Sequence, residues 1–386
     1  MRILSAMFRF EVTHRSGKAR LGRLCTPHGE VATPVFMPVG TAGTVKGVTP
    51  EQLRSAGVQI VLANTYHLML RPGAETVARL GGLHKFMGWS GPTLTDSGGY
   101  QVFSLSHLRK VDDDGVTFQS HIDGAELELT PQIAVDIQRR LGADIIMQLD
   151  ECPSADASKD QVAAAVRRSI DWAVRCADAW TIGNRQSATG CHQALFGIQQ
   201  GGTFPDLRAE SAAALVEMDL PGYAIGGLSV GESHEAAVGV LEHVDGQLPP
   251  DKPRYLMGVG EPRDILAAVA RGVDMFDCVM PTRNARNAQA FTWTGRIRLR
   301  NACWADDAGS LDKHCNCTTC RNFSRGALRH FFLAGEMLGP ILVSLHNLHF
   351  FTSLMAAVRQ AVAEGNLQAM IPKWTAAMYS QPEKEA

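Results

Sequence analysis

Three cysteines near the C-terminal end are spaced as metal ligands. Cys315, Cys317 and Cys320 lie within six residues, in the order Cys-x-Cys-x-x-Cys. Zinc takes four sulfur or nitrogen ligands in tetrahedral geometry, so the spacing predicts a zinc site, with an iron–sulfur cluster as the competing assignment. Spacing leaves open which downstream histidine supplies the fourth ligand: His330, His346 or His349. Because three thiolates and an imidazole fill the coordination sphere, we expect a structural zinc.

A second set of polar residues follows short apolar segments that are typical of buried strands. The set holds three carboxylates, two amides and several glycines: Asn64, Asp96, Asp150, Gln200, Gly226, Gly227, Gly258 and Asp277. In α/β barrels the catalytic groups lie where strands end and the next loops begin. Any one of these residues is about as often a helix cap. Seven strand ends carrying such residues together favour a catalytic site.

Three of the loops after strands are rich in glycine, at 95–101, 197–202 and 226–232. Backbone amides in such loops often bind phosphate, but none of these has the Lys-Ser/Thr ending of a nucleoside-triphosphate site. Backbone donors beside amides and carboxylates also suit a planar heterocycle. Tyr100 and Met257 are candidates to cover its two faces, and core packing explains either residue equally well.

The segment 283–330 is basic although the chain has a net charge of −2. Against three acidic residues it carries nine basic ones: Arg283, Arg286, Arg296, Arg298, Arg300, Lys313, Arg321, Arg325 and Arg329. Positive charge beside a barrel mouth favours contact with a phosphate backbone, and a solvated helix face is the alternative. Because Arg296, Arg298 and Arg300 alternate with other residues, we expect them to share one face of a strand.

Short apolar strands alternating with amphipathic helices must position these residues. Eight strands are predicted, at Val35–Val39, Ile60–Ala63, Thr93–Thr95, Asp144–Leu149, Ala194–Ile198, Gly222–Ile225, Arg254–Gly258 and Met275–Val279. Helices are predicted from a capping box at Thr49–Gln52, and over Ser158–Trp180, Asp206–Met218, Glu232–Val244 and Pro262–Arg271. Eight such units predict a (β/α)₈ barrel. A doubly wound sheet competes less well, because no Gly-x-Gly-x-x-Gly follows a first strand.

Three regions depart from this alternation. Asp123-Gly124 lies between alternating segments, which predicts a hairpin. The residues before Val35 are predicted to form an extra strand pair across the bottom of the barrel. The cysteine segment follows the eighth strand. We therefore predict a catalytic barrel with its N-terminal strand pair (1–283), a zinc-binding subdomain (284–346), and a C-terminal helix closing the barrel (347–386, helical over roughly Asn347–Glu364).

Composition bounds the class of protein. Apolar residues make up 45% of the 386 residues and charged residues 20%, as in packed globular proteins. Six of the nine cysteines are scattered, which is not a disulfide framework and favours a reducing compartment. The start, Met1–Phe10, does not resemble a secretory signal, and no run of about 18 apolar residues predicts a membrane span. We expect a cytoplasmic protein.

These motifs resemble the family of bacterial tRNA-guanine transglycosylases, also called queuine tRNA-ribosyltransferases, over essentially the whole chain. The resemblance is carried by Phe36–Thr41, Asn64–Leu68, Asp96–Gln101, Gly226–Leu228, Tyr255–Gly260, Phe276–Arg283 and the cysteine cluster followed by His346-Asn347. The family is a zinc-containing (β/α)₈ barrel that exchanges guanine 34 of certain tRNA anticodons for a 7-deazaguanine. The resemblance therefore implies a pentosyltransferase with tRNA as substrate and a homodimeric assembly.

The same resemblance implies roles for individual residues. Asp277 would be the nucleophile that attacks C1′ of the ribose, and Asp96 the general acid/base. The base would be bound by Asp150, Gln200, the amide of Gly227, Tyr100 and Met257, and Asn64 is expected in the same substrate-binding set. The zinc would be held by Cys315, Cys317, Cys320 and His346. The RNA would be contacted by Arg283 and Arg286.

The incoming base implied by the resemblance is preQ1, which carries an aminomethyl group. Cys152 and Val230 match the bacterial pattern, whereas eukaryotic members that use queuine differ at both places. The carbonyl of Leu228 and the side chain of Glu232 would accept hydrogen bonds from the ammonium group. One residue departs from the family pattern, Ala288, where glycine is expected.

Three other functions compete with this interpretation. A non-catalytic paralogue subunit would lack the nucleophile, whereas Asp277 is present. A related transglycosylase acting on DNA would share the motifs. A zinc hydrolase would need an open metal site, which three cysteines and a histidine do not leave.

Overall fold

The computed structural model describes residues 8–105, 109–185, 193–228 and 230–379; Cys191, Ser229 and the ends of the predicted first and third domains lie outside these ranges. The strands are β1 (Arg9–Ser16), β2 (Ala19–Thr26), β3 (Gly29–Thr33), β4 (Val35–Pro38), β5 (Val61–Ala63), β6 (Thr93–Thr95), β7 (Arg109–Val111), β8 (Val116–Gln119), β9 (Glu126–Leu129), β10 (Ile145–Met147), β11 (Ala194–Gln199), β12 (Gly222–Ile225), β13 (Arg254–Leu256), β14 (Met275–Cys278), β15 (Gln289–Thr292) and β16 (Gly295–Arg298).

The helices fall between and after these strands. They are α1 (Pro50–Ser55), α2 (Thr65–Leu70), α3 (Ala74–Arg79), α4 (Gly82–Met87), α5 (Gly99–Leu105), α6 (Pro131–Leu141), α7 (Lys159–Arg185), α8 (Pro205–Glu217), α9 (His234–Leu241), α10 (Val244–Gln247), α11 (Pro262–Val269), α12 (Met280–Arg286), α13 (Thr318–Asn322), α14 (Arg325–Ala334), α15 (Leu338–Ala363) and α16 (Leu367–Met378); a 3₁₀ turn lies at Ala302–Trp304.

Eight parallel strands form the barrel that the sequence predicts. Their order is β4-β14-β13-β12-β11-β10-β6-β5. The ring is closed by a parallel bridge between Val39 and Leu62, where the amide of Gly40 also donates to the Leu62 carbonyl at 2.6 Å. All eight strands lie within one or two residues of their predicted bounds. The (β/α)₈ barrel is therefore confirmed, and the doubly wound sheet is excluded.

Alternating side chains of the strands form two cores. Residues that point into the barrel, such as Met37, Leu94, Met147 and Phe196, pack together at its centre. Their neighbours along each strand pack outward against the helices, as Phe36 and Ile146 do. Because both faces are buried, the strands read in the sequence as continuous apolar segments.

Local signals set the ends of the helices as predicted. Thr49 and Gln52 form a reciprocal capping box around Pro50 at the start of α1. At α7, the Ser158 hydroxyl accepts from the amide of Gln161, and the Gln161 side chain accepts from the amide of Ser158. The predicted helix over Glu232–Val244 is correct in place but is divided into α9 and α10, with Ser233 as its cap.

The N-terminal residues close the bottom of the barrel, as predicted, but with three antiparallel strands rather than two. Leu24 and Val31 of this sheet pack into the barrel core. Arg20 of β2 pairs with Asp274, immediately before β14, and both side chains are fully buried. A buried ion pair thus fastens the sheet to the barrel.

Two insertions interrupt the barrel. The Asp123-Gly124 hairpin is confirmed: β8 and β9 pair antiparallel around it, and β7 completes a three-stranded sheet. After β14, the segment from β15 to α14 forms the cysteine module with its own small core. Asn347 on α15 donates to the carbonyls of Pro281 and Gln289 and accepts from the amide of Phe291. That fully buried amide fixes the module to the helix after β14.

The last long helix, α15, begins nine residues before the predicted start because Leu338–His346 continue its apolar pattern. The predicted domain boundary at 346/347 therefore falls inside it; the division into three domains stays a prediction. Its length and apolar composition would suffice for a membrane span, but 61% of its most apolar 18-residue stretch is buried inside the protein. It contacts the barrel, the N-terminal sheet and the cysteine module, and such burial is expected of a core helix.

Candidate active site and metal centre

A cavity of about 440 Å³ opens at the carboxyl ends of the barrel strands. The predicted site residues that line it are Asn64, Asp96, Tyr100, Asp150, Cys152, Gln200, Gly227, Leu228, Val230, Met257, Asp277 and Arg283. They come from positions 64 to 283 and meet because parallel strands in a barrel end at the same face. Two predicted residues, Glu232 and Arg286, do not line it.

Asp277 is held at the end of β14 by two neutral donors. The hydroxyl of Tyr255 donates to its Oδ1 at 2.5 Å, and the amide of Gly258 donates to the same oxygen at 2.7 Å. Burial raises the pKa of Asp277 above its ordinary value, and the two hydrogen bonds oppose that rise. Burial and the neighbouring carboxylate raise the pKa of Tyr255 in turn, so its hydroxyl remains a donor. Both hydrogen bonds leave Oδ2 available for other chemistry.

Asp96, after β6, accepts more hydrogen bonds than the other two carboxylates of the site. Its Oδ1 accepts from the amide of Thr65 at 2.8 Å. Its Oδ2 accepts from the side-chain amides of Asn64 at 2.5 Å and Gln101 at 2.9 Å. Burial raises the pKa of Asp96 to about 6; the three hydrogen bonds oppose the rise, and the charge of Asp277 adds to it. A carboxyl group with that pKa can both give and take a proton near neutral pH.

Asp150, after β10, faces Gln200, after β11. The Gln200 side-chain nitrogen donates to Oδ2 of Asp150 at 2.6 Å. Burial, together with the charges of Asp96 and Glu151, raises the pKa of Asp150 to about 6 against that hydrogen bond. Oε1 of Gln200 is buried and accepts no hydrogen bond from the described residues. A carboxyl group and an open carbonyl oxygen side by side can accept from the polar edge of a planar base.

The loop after β12 needs glycine at position 227. Its φ is +65°, and a Cβ atom there would lie 2.4 Å from Oε1 of Gln200. Below it lies Arg208, 1% exposed, which donates to the carbonyls of Gly202 and Gln199 at 2.8 and 2.9 Å. It also donates to the Gly227 carbonyl at 3.5 Å, so the buried guanidinium contacts two of the glycine-rich loops. None of these loops holds a phosphate-binding lysine in the described residues.

The remaining predicted residues are placed as follows. Tyr100 is 53% exposed at the cavity mouth, and Met257 is half-buried in its wall. Glu232 turns away from the cavity, and its carboxylate accepts from the amide of Val230 at 3.0 Å. Arg286 is half-buried at the end of α12, and burial, with the charge of Arg283, lowers its pKa.

Sequence reasoning gave no role to Tyr255, Gln101 or Thr65, although all three donate to a site carboxylate. Tyr255 lies opposite Met275 in the register between β13 and β14, so it shares a face with Asp277 two residues later. Strand parity is therefore the signal that would have found it. No pattern in the sequence points to the contacts of Gln101 and Thr65, which depend on how α5 and α2 are seated.

The four predicted metal ligands converge. The ligand atoms of Cys315, Cys317, Cys320 and His346 lie within 4.8 Å of one another. Nδ1 of His346 is 3.6 Å from Sγ of Cys317 and 3.2 Å from Sγ of Cys320. Ligands around a tetrahedral zinc with these donor types are about 3.6 Å apart, from bonds of 2.0–2.3 Å. Nε2 of His346 contacts the Phe291 carbonyl at 2.7 Å, which leaves Nδ1 as the lone-pair nitrogen that a metal requires.

The two other candidate histidines lie outside this cluster: Nε2 of His349 contacts Asn316 at 2.9 Å, and His330 is exposed beside Phe331. The residues therefore fit a closed Cys₃His zinc site, in which zinc would stabilise the module rather than activate water. An open catalytic metal site, as in a zinc hydrolase, does not fit four protein ligands.

The basic surface is smaller than the composition suggests. Arg296 is half-buried and pairs with Glu261, and Arg325 pairs with Asp307. Arg298 and Arg300 are exposed, so only two of the three alternating arginines face solvent. With Arg283, also exposed at the cavity mouth, these side chains remain available for an anionic partner.

Comparison with known proteins agrees with this geometry. The family model described as "Queuine tRNA-ribosyltransferase" matches residues 15–380. Relatives of that name include the protein of Novosphingobium aromaticivorans, 54% identical over 94% of this chain and 96% of the relative. Those of Thermus thermophilus and Caulobacter vibrioides are each 53% identical, over 93% and 94% of this chain and 91% and 96% of the relatives. The chain therefore belongs to the queuine tRNA-ribosyltransferase family and is a pentosyltransferase.

Proposed function

We propose that the protein exchanges guanine 34, the anticodon wobble base of tRNAs with a GUN anticodon, for the 7-deazaguanine preQ1, a step of queuosine biosynthesis. One observation carries the proposal. Asp277, oriented by Tyr255 and Gly258, shares a cavity of about 440 Å³ with two further buried carboxyl groups. Their pKa values of about 6 suit proton transfer and base recognition.

The first half of the reaction replaces guanine by the enzyme. Oδ2 of Asp277 attacks C1′ of the ribose, because Oδ1 is engaged by its two donors. The bond from C1′ to the base breaks, and its electron pair goes to guanine, which takes the proton of Asp96. A covalent ribosyl ester results, as in retaining glycosidases. Splitting one difficult displacement into two is the general advantage of a carboxylate nucleophile.

The second half reverses these steps with the new base. The incoming 7-deazaguanine loses its ring N–H proton to the Asp96 carboxylate, and its nitrogen attacks C1′. The Asp277 carboxylate leaves with the electrons of the ester bond. Two displacements retain the configuration at C1′. One carboxyl group serves as acid and then as base, which requires a pKa near the working pH, and the value of about 6 for Asp96 supports this.

Base recognition is proposed for the groups opposite the nucleophile. The Asp150 carboxylate and the open Oε1 of Gln200 would accept from the N–H groups of the guanine-like edge, and the Gly227 amide would donate to its carbonyl. Tyr100 and Met257 would cover the two faces. Both bases share this edge, so the same groups serve each half-reaction.

The aminomethyl group of preQ1 would lie toward Cys152 and Val230, with the Leu228 carbonyl as acceptor for its ammonium. Glu232 would act through the loop, since its carboxylate holds the Val230 amide. Competition between labelled preQ1 and queuine tests this choice. Preference for queuine would overturn the preQ1 assignment and leave the exchange mechanism intact.

The tRNA must expose its target nucleotide, because a stacked base does not reach a pocket at the end of a barrel. Arg283 would contact the phosphates beside the flipped nucleotide, and Arg286 would support it from the same helix. Cys315, Cys317, Cys320 and His346 would hold one structural zinc that keeps the basic module in place. We further propose a cytoplasmic homodimer, in which the second subunit supports the tRNA.

The decisive experiment traps the intermediate. Wild-type protein, tRNA and a 7-deazaguanine analogue are mixed, denatured and run on a gel. We expect a protein–RNA adduct that Asp277→Asn does not form and that a DNA hairpin of the same sequence does not yield. Adduct formation by Asp277→Asn would refute the nucleophile, and labelled guanine entering DNA in preference to tRNA would establish the DNA-acting alternative.

A further inference from the structure

A second cluster of metal-binding side chains lies at the opposite end of the barrel. His28, His84 and Asp144 each present one ligand atom, and these atoms lie within 4.8 Å of one another. They come from the turn between β2 and β3, from α4, and from the residue before β10. Asp144 and Asp150 flank the same strand six residues apart, roughly 20 Å at the rise of an extended chain. The cluster is therefore separate from the cavity, and none of its three residues belongs to the cysteine module.

The carboxylate of Asp144 is shared between the two imidazoles. Nδ1 of His28 is 2.7 Å from its Oδ1, and Nε2 of His84 is 3.2 Å from its Oδ2, which also accepts from the amide of Thr93 at 2.8 Å. The Thr93 hydroxyl is 3.3 Å from the same His84 nitrogen. Each imidazole thus already directs a nitrogen toward the carboxylate, as in a site where two histidines and one carboxylate bind a metal.

The charges at this cluster are not balanced as they are elsewhere at the barrel bottom. Asp274 occupies the matching place before β14 and has the permanent cation Arg20 as its partner. The ion-pair partners of Asp144 among the described residues are His28 and His84. Their rings are stacked with centroids 3.5 Å apart. Two protonated rings at that distance repel each other strongly, so a divalent cation is better suited than two protons to neutralise the carboxylate.

We propose that His28, His84 and Asp144 form a second zinc site that clips the N-terminal sheet to the barrel. Imidazole nitrogens select a borderline transition-metal dication over Mg²⁺ or Ca²⁺, which take oxygen ligands. Binding would displace the shared protons and separate the stacked rings. The side chain of His28 is 33% exposed and that of Asp144 is fully buried, so solvent can reach the cluster from the side of His28 and water would serve as the fourth ligand. With a carboxylate and two imidazoles, the site would bind zinc less tightly than the cysteine module.

The experiment counts metal ions on the full-length protein with its cysteine site loaded. Equilibrium dialysis against rising Zn²⁺, followed by elemental analysis, measures the zinc bound per chain. We expect two equivalents for wild type and one for both His28→Ala and His84→Ala. His14→Ala, an exposed histidine on the same N-terminal sheet, should keep two. Circular dichroism verifies that each variant is folded. If the alanine variants do not fold, His28→Gln, in the turn between β2 and β3, replaces them in the same measurement.

Co²⁺ provides an independent measurement. The second equivalent of Co²⁺ should develop d–d bands without the thiolate charge-transfer absorption of the first, and it should be absent from His28→Ala. Wild type that saturates at one zinc would overturn the proposal. A second equivalent that both histidine variants retain would mark adventitious surface binding and overturn it equally.

Discussion

The two ends of the barrel treat buried carboxylates in opposite ways. At the bottom, Asp274 is paired with a buried arginine, and hydrogen bonds from His28, His84 and the Thr93 amide overcome burial to lower the pKa of Asp144. At the top, Asp277 accepts from a tyrosine hydroxyl and a backbone amide, and burial raises its pKa. An ion pair and hydrogen bonds therefore stabilise the charged form of the carboxylates at the bottom, whereas burial disfavours the charged form of the carboxylate at the top.

The difference shows what each end is built to do. A paired buried carboxylate contributes little beyond what an apolar pair would, but losing one partner is costly. A buried carboxylate with only neutral donors costs stability at neutral pH and in return stays reactive toward protons and electrophiles. Aspartate-to-asparagine substitutions at the two ends should thus have opposite consequences, even when the two residues are only a few positions apart in the sequence.

Asp277→Asn should give the largest effect on activity. Asparagine keeps an oxygen for Tyr255 and Gly258 but cannot form the ester, so we expect guanine exchange to fall by at least about 10⁴-fold. The midpoint of urea unfolding should stay the same or rise, since a buried charge is removed. Rates are measured by incorporation of labelled guanine into tRNA. Exchange within tenfold of wild type, or a clear loss of stability, would contradict the division between the two ends.

Asp274→Asn, three residues earlier and immediately before the same strand, should do the reverse. It leaves Arg20 buried beside Arg254 without its carboxylate partner, and breaking a buried pair costs about 3–5 kcal/mol. Unfolding in urea measures this loss, while the folded fraction should retain the wild-type rate of exchange. In the double variant Arg20→Met/Asp274→Asn the loss should be smaller than in the single one. An equal or larger loss in the double variant would mean that the ion pair is not the cause.

Of the two ends of the barrel, only the top, where the strands end at the cavity, could be predicted from the sequence. The eight strands were predictable because burial on both faces leaves continuous apolar segments, and their carboxyl ends had to converge. Asp96, Asp150, Gln200 and Asp277 can therefore be grouped from the sequence alone. The roles assigned to them stay predictions that the proposed experiments test.

The side-chain contacts at the bottom of the barrel could not be predicted from the sequence. His28 and Asp144 are 116 residues apart, and no periodicity links a turn of the N-terminal sheet with the start of a strand. Arg20 and Asp274 are 254 residues apart and meet only because the sheet closes the barrel. The predicted start of α15 at Asn347 is nine residues too late for a related reason. Its first turns are buried by the cysteine module, and a helix pattern alone does not reveal that tertiary partner.

Asp150→Asn tests whether the charge of a buried carboxylate at the top of the barrel lowers the free energy of unfolding. The pKa of Asp150 is raised to about 6 from 3.8, with burial as the main cause, so the folded state holds its proton more tightly than the unfolded chain does. The charged form therefore destabilises the fold above pH 6, by up to about 3 kcal/mol. The variant should gain up to that amount at pH 7.5, and the gain should fade as the pH falls toward 3.8.

The measurement is the free energy of unfolding from pH 4 to 8. Asp178→Asn, at an exposed position on α7, is the control and should change stability little at any pH. An asparagine amide can also donate to the open Oε1 of Gln200, which adds a pH-independent gain. A gain that does not vary with pH would assign the effect to that hydrogen bond instead of the charge.

Ala288→Gly should have the smallest effect on stability. It concerns the backbone after α12, the helix that follows β14 at the top of the barrel. Ala288 has φ +61° and is 1% exposed between α12 and β15. A side chain in this conformation costs about 1–2 kcal/mol, whereas glycine adopts it freely but loses more entropy on folding. We expect a net gain of about 0.5–1 kcal/mol, measured by urea unfolding. Ala285→Gly, in the regular helix α12 three residues earlier in the same core, should lose about 1 kcal/mol. If both variants lost stability equally, packing of the Ala288 methyl group would outweigh the relief of strain, and the departure from glycine would be stabilising here.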